Sequence, residues 1–206
     1  MKTIGLPDAM PAAVYGEDDQ LASTASAAGA QVVKVYSPNA TWANVKAAVN
    51  GASIVVYLGH GNGWPSPYGP FQEKTKNGFG LNPYDGGSAA NHTYYGGNPI
   101  RSNITLAPNA VVLLVHLCYA SGNSEWGSAN PTKSTAMKRA DNYAAGFLRA
   151  GAKAVFAEAI SSVAYTVRSL FRSTRSMNSI FTNHPAASGA RDFYFNSVRT
   201  SGFRAH

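Results

Sequence analysis

Two short apolar runs, each ending in glycine punctuation and a side chain capable of chemistry, constrain this chain more than any other feature. The first is Ile54-Val55-Val56-Tyr57-Leu58, followed by Gly59-His60-Gly61-Asn62-Gly63. The second is Val111-Val112-Leu113-Leu114-Val115, followed by His116-Leu117-Cys118-Tyr119-Ala120-Ser121-Gly122. Runs this short, rich in β-branched residues and apolar at every position, read as strands buried on both faces, as in a parallel sheet. In open α/β sheets the ligand crevice lies beyond the carboxyl ends of the strands. His60 and Cys118 both fall at such ends, which predicts a histidine and a cysteine at one crevice.

The intervening patterns agree with that class. Lys2 to Leu6 reads as a short first strand, Asp18 to Ala30 as a helix capped near Gly29, and Gln31 to Tyr36 as a second strand. Trp42, Val45 and Val49 recur at helical spacing before Asn50-Gly51. Strand and helix therefore alternate, which favours right-handed crossovers and a parallel sheet between helices, a three-layer α/β/α sandwich. Asn98 to Pro108 predicts a short helix and Asp141 to Gly151 another. Ala152 to Glu158 predicts a further strand, and Tyr165 to Phe181 a last amphipathic helix. The tail beyond Asn183 has no pattern except Phe193-Tyr194-Phe195. With 206 residues, 45% of them hydrophobic, and no internal repeat, residues 1–206 read as one domain.

From about residue 62 to 99 periodicity disappears. Trp64, Tyr68, Phe71, Phe79, Tyr84, Tyr94 and Tyr95 lie there among glycine, proline and asparagine. A long aromatic loop on a strand end suits a wall or lid over a site, or a loop packed on its own rings. Asn82, Asp85 and Asn91 offer oxygen ligands, so calcium in the 82–91 loop is a weak alternative, without a calcium-loop motif behind it.

Charge narrows the partners. The chain carries +7 overall, but residues 133–206 hold eleven Lys/Arg against Asp141, Glu158 and Asp192, while the first 132 are nearly neutral. The cations are scattered and accompany no nucleic-acid module, so they read as solvated surface and no nucleic acid is expected. No membrane span is visible. Met1-Lys2-Thr3 leads into Pro7, Asp8 and Pro11 rather than an apolar run, so no signal peptide is seen. Only 13% of residues are charged, a composition common in secreted and cell-surface proteins. The single cysteine, Cys118, excludes an internal disulfide and is either a small buried hydrophobe or a reactive thiol.

A thiol becomes a nucleophile as thiolate, and a nearby histidine can take its proton. The glycines around His60 would let a substrate backbone approach closely. Acyl transfer also needs oxyanion donors, for which the N–H groups of Gly61 and Cys118 are placed at facing strand ends. Two alternatives stay open. His60 can cap its strand end by bonding to backbone. His116 reads as a core residue of its strand, yet a period of two puts it on one face with Cys118, so His60, His116 and Cys118 could hold zinc.

Gly59-His60-Gly61, with Cys118-x-x-Ser121-Gly122 placed 58 positions after the histidine, resembles the caspase, legumain and gingipain clan of cysteine peptidases. The resemblance covers roughly residues 30 to 160. It implies a caspase-like fold, Cys118 as nucleophile, His60 as acid/base, Gly61 and Cys118 as the oxyanion hole, and a polypeptide substrate. The clan's small residue before the cysteine is replaced here by Leu117, and no acid or arginine of a specificity pocket matches by motif. Trp64, Asn123, Glu125 and Glu158 are substrate-contact candidates by position alone. The alternative function is a catalytically silent binding module in which Trp64, Tyr68, Tyr84, Tyr94 and Tyr95 stack against glycan or peptide.

Overall fold

A computed structural model describes residues 2–5, 12–88, 91–159, 163–186 and 194–206. Leu6 of the expected first strand and Phe193 of the tail lie outside the described residues, as do positions 89 and 90 of the aromatic loop.

The centre is a five-stranded parallel sheet built from β1 (Lys2–Gly5), β2 (Val33–Tyr36), β3 (Ile54–Leu58), β6 (Val111–Val115) and β7 (Ala154–Glu158), in the order β2-β1-β3-β6-β7. All five residues of β6 are buried, as its continuous apolar run requires for a strand covered on both faces. One face carries α2 (Trp42–Val49), α3 (Gly97–Asn103) and α4 (Lys133–Arg149), packed through Val45, Val49, Ile100, Tyr143 and Phe147 onto Val55, Tyr57, Val112 and Leu114. The other carries α1 (Ala12–Ala27), α5 (Ala164–Arg172) and α6 (Met177–Thr182), packed through Leu21, Val167 and Ile180 onto Val56, Leu58, Leu113 and Val115. The chain is thus mixed α/β, a parallel sheet flanked by helices.

Local chemistry explains most boundaries. Thr41 caps α2 by accepting from the Asn44 N–H, and Gly51 ends it at φ +71°. Thr132 caps α4 in the same way through the Thr135 N–H, so α4 begins well before the expected Asp141. The single helix expected over Tyr165–Phe181 is two. Ser173 turns to an extended conformation at the end of α5, and Ser176 then caps α6 through the Ser179 N–H. The polar run Ser173 to Ser176 has no apolar side chain to hold a helix against the sheet.

The aromatic segment is also more ordered than its composition predicts. It contains a two-stranded antiparallel ribbon of β4 (Phe79–Leu81) and β5 (Thr93–Tyr95), with Gly80 opposite Tyr94. A second small ribbon, β8 (Phe195–Asn196) with β9 (Arg204–Ala205), is tied to α4 by Asp141. Its carboxylate accepts from the Val198 N–H at 2.9 Å, the Arg199 N–H at 3.2 Å and the Ser197 hydroxyl.

Candidate functional site

Because every strand of the sheet is parallel, the carboxyl ends share one edge. Leu58 pairs with Val115 in the β3–β6 register, and continuing that register sets Gly61 opposite Cys118. The backbones meet there: a methyl group on Gly61 would lie 2.2 Å from the Cys118 carbonyl oxygen and 2.8 Å from its amide nitrogen. One on Gly63 would lie 2.2 Å from the Tyr119 Cβ. The segment 61–63 therefore lies flat against 118–119. Gly59 is similarly closed by Tyr57, whose hydroxyl oxygen would lie 2.8 Å and ring carbons 3.0 Å from such a methyl. These glycines admit the protein's own chain.

Tyr57 sets the height of His60. Its hydroxyl, fully buried, accepts from the Gly80 N–H at 2.9 Å and lies 3.0 Å from both the Gly80 and the His60 carbonyl oxygens, between which its one proton is shared. Burial holds this phenol far above its usual range, so it stays a neutral donor. The β4–β5 ribbon is thereby fixed over β3 and brings His92 onto His60, with ring centroids 4.2 Å apart and planes at 65°. Tyr94 stacks behind His92 at 6.3 Å. The Nε2 atoms of His60 and His92 are enclosed and have no hydrogen-bond partner among the described residues. Such orphaned nitrogens are uncommon in a folded chain, and here the two belong to contacting rings.

Cys118 is bracketed by strain. His116 and Tyr119 adopt positive φ, 57° and 72°, a region costly for side chains of their size. The turn at His116 takes it out of the strand, and its N–H donates to the Glu158 carbonyl at 2.7 Å. The period of two therefore stops at Val115, so His116 and Cys118 share no strand face and His116 is not the strand core residue expected. Among the described residues no group of three His, Cys, Asp or Glu is placed to hold a metal ion. In the 82–91 loop, Asp85 accepts from the Asn44 amide at 2.9 Å, and the Asn82 amide donates to Ser37 and to the Gly87 carbonyl.

Electrostatics favour the neutral forms of the pair. Burial pushes the Cys118 thiol up, and the Glu125 charge pushes it further. Burial lowers His60, and lowers His92 with help from His60. Burial therefore favours the neutral thiol at Cys118 and the uncharged imidazole at His60.

Of the expected substrate contacts, Glu125 alone is brought to the thiol. The Tyr68 hydroxyl donates to it at 2.7 Å. The other three are engaged within the fold. Trp64 packs its ring 5.0 Å from Phe71, while its N–H donates to Asn77 and its carbonyl accepts from Asn142. The Asn123 amide donates to the Leu117 and Ser124 carbonyls. The Glu158 carboxylate lies 3.7 Å from His184 in the other helix layer.

Two buried cations hold the walls, and one of them, Arg139, belongs to the stretch whose cations were expected to be mostly solvated surface. Lys76 donates to Asn62 and to the Tyr68 carbonyl, both at 2.7 Å. Arg139 donates to the Pro65 and Asn123 carbonyls at 2.7 and 2.8 Å and stacks on the Tyr119 ring at 4.7 Å. His92 is the site residue that sequence reasoning missed. Its one signal is the run His92-Thr93-Tyr94-Tyr95, whose strand spacing puts 92 and 94 on one side. No described helix is long and apolar enough to cross a membrane. Comparison with known families, with curated proteins and with solved structures finds no match for this chain.

Proposed function

We propose that the chain is a caspase-like cysteine peptidase, or a related acyl hydrolase, acting on polypeptides. The observation that carries this reading is the backbone contact of Gly61 with Cys118 at the carboxyl ends of two neighbouring parallel strands, which makes histidine and cysteine blocks 58 residues apart in sequence into one edge. The orphaned Nε2 of His60 and the positive-φ residues either side of Cys118 support it, since unsatisfied buried groups and strained backbone cluster at functional sites.

In this reading Cys118 Sγ attacks the scissile carbonyl carbon and a sulfur–carbon bond forms. The carbonyl electron pair moves onto oxygen, facing the N–H groups of Gly61 and Cys118. His60 takes the thiol proton as attack proceeds, which suits a resting pair that is neutral on both sides, and returns it to the leaving amine as the carbon–nitrogen bond breaks. Water then hydrolyses the thioester and restores the thiol.

The test is hydrolysis of a mixed peptide library by the wild type and by Cys118→Ala, with folding of both checked by thermal melting. Cleavage lost in Cys118→Ala supports the peptidase; cleavage retained there sinks it. A second reading, a silent module that binds through its aromatic loop, is favoured by the protonated thiol and by exposed rings such as Tyr68 and Tyr84. It expects glycan or peptide binding unchanged by Cys118→Ala.

A further inference from the structure

His60 and His92 touch without sharing a hydrogen bond: both Nε2 atoms are enclosed and partnerless among the described residues. The rings meet edge to face, with centroids 4.2 Å apart and planes at 65°. An aromatic ring is positive at its edge and negative over its face, so two neutral rings attract in this arrangement. One proton is compatible with the contact, since the partner ring remains neutral and a cation attracts an aromatic face. Two protons are not, because like charges at this separation repel. The rings are also held where they are. The Tyr57 hydroxyl shares its proton between the His60 and Gly80 carbonyls, both at 3.0 Å, which ties the His60 backbone to the ribbon. A methyl group on Gly80 would lie 3.4 Å from the His60 Cβ, and Tyr94 stacks behind His92 with planes 22° apart. The rings cannot part without moving the ribbon. The other titratable groups packed round the pair are Tyr57, Tyr94 and Cys118, the last across the backbone contact with Gly61, and Glu125 acts on Cys118 and Tyr94. Among the described residues no ion pair includes either ring, so no carboxylate is seated to hold a second charge.

We propose that His92 is a positioning residue for His60 and that the two rings bind one proton between them, a proton on either excluding a proton from the other. The proposal rests on the peptidase reading for the use made of that proton, and adds the residue that governs when His60 can take it. While both rings are neutral, His60 accepts the Cys118 proton as sulfur attacks, and the uncharged His92 ring stays against the new imidazolium. Once a proton from solution lodges on His92, His60 cannot take a second, and the thiol keeps its hydrogen. Burial lowers both rings, His92 with help from His60, in agreement with the repulsion expected from the contact. Acid therefore shuts the centre through a residue outside the dyad.

The experiment follows the ring signals of isotope-labelled histidine by NMR as pH falls from about 8 to about 5, on either side of the ordinary histidine value. The variants His60→Phe and His92→Phe assign the two rings among the five histidines of the chain. In the wild type the pair takes up one proton in total, and each ring becomes only partly charged. The second proton binds up to roughly a thousandfold more weakly, the factor that repulsion at about 4 Å gives at the dielectric of a protein surface. Phenylalanine keeps a ring at the contact and removes one proton site. His60 in His92→Phe therefore charges fully in a single step, and His92 does the same in His60→Phe. Wild-type rings that both charge fully, or that both stay neutral until the protein unfolds, overturn the proposal. So does a His60 that titrates in His92→Phe as it does in the wild type, which would leave burial alone at work. Should His92→Phe fail to fold, His92→Gln assigns the ring instead and the wild-type proton count decides. The readout needs no turnover, so hydrolysis surviving in Cys118→Ala ends the peptidase reading without touching the proton count. Cys118-dependent hydrolysis by a pair that takes two protons ends this proposal alone.

Discussion

Replacing Tyr57 by Phe removes one hydroxyl from a fully buried ring and leaves every carbon in place, so its effect isolates the strut between β3 and the β4–β5 ribbon. The hydroxyl now satisfies the Gly80 N–H at 2.9 Å and serves the Gly80 and His60 carbonyls at 3.0 Å. Without it, the buried N–H is orphaned at a cost of roughly 1–3 kcal/mol, and the lost donor adds about 1 kcal/mol. The sum of about 2–4 kcal/mol corresponds to a fall in melting temperature of roughly 5–15 °C for a chain of this size. Thermal melts of wild type and Tyr57→Phe at pH 7 measure it. Hydrogen exchange at Gly80 then separates a loosened ribbon from a general loss of stability. A variant that melts within about 1 °C of the wild type, with Gly80 still protected, would refute the strut and remove the reason given for the position of His60.

Burial lowers His60 and His92 from the usual histidine value of 6.5, so the unfolded chain binds protons more readily than the folded one as pH falls through 6.5. Stability contributed by the pair is therefore present above that pH and lost below it. The double variant His60→Gln, His92→Gln should show a shallower fall in melting temperature between pH 7 and 5 than the wild type, and an unchanged slope would exclude the pair as its source. Asp141→Ala orphans the Val198 and Arg199 N–H groups and releases Ser197, a loss of roughly 2–4 kcal/mol concentrated in the β8–β9 ribbon. Exchange of residues 195–205 should rise far more than that of β6; equal rises would mean that Asp141 supports the whole fold instead.

Signals that depend on neighbours in sequence were legible, and signals that depend on contacts were not. The apolar runs of β3 and β6 fixed both strands, and with them the edge where His60 and Cys118 lie. Helix α2 has the bounds its Trp42, Val45 and Val49 spacing predicts. The first two turns of α4, Lys133 to Ala140, carry Met137 as their one large apolar side chain, so the stripe that reveals a helix is missing although the Thr132 cap is present. The three-residue strands β4 and β5 are too short to alternate visibly, and β4 is anchored by Tyr57 from another element. The same holds within the site. His92 meets His60 across 32 positions and Tyr68 meets Glu125 across 57, contacts that no local pattern specifies.

The meeting of residues 61–63 with 118–119 has a consequence for how such a chain can be varied. The spacing of the two reactive residues is set by peptide units lying against each other, with no side chain between them as a spacer. The walls come from different material, the loops that Lys76 and Arg139 hold in place from their own helix and turn. Recognition and reactivity are therefore separable parts. Exchanging exposed wall side chains such as Tyr68 or Trp126 for others of another chemistry re-addresses the cleft while Lys76 and Arg139 keep the walls in place, whereas any side chain larger than hydrogen at Gly61 detunes the centre whatever the walls present.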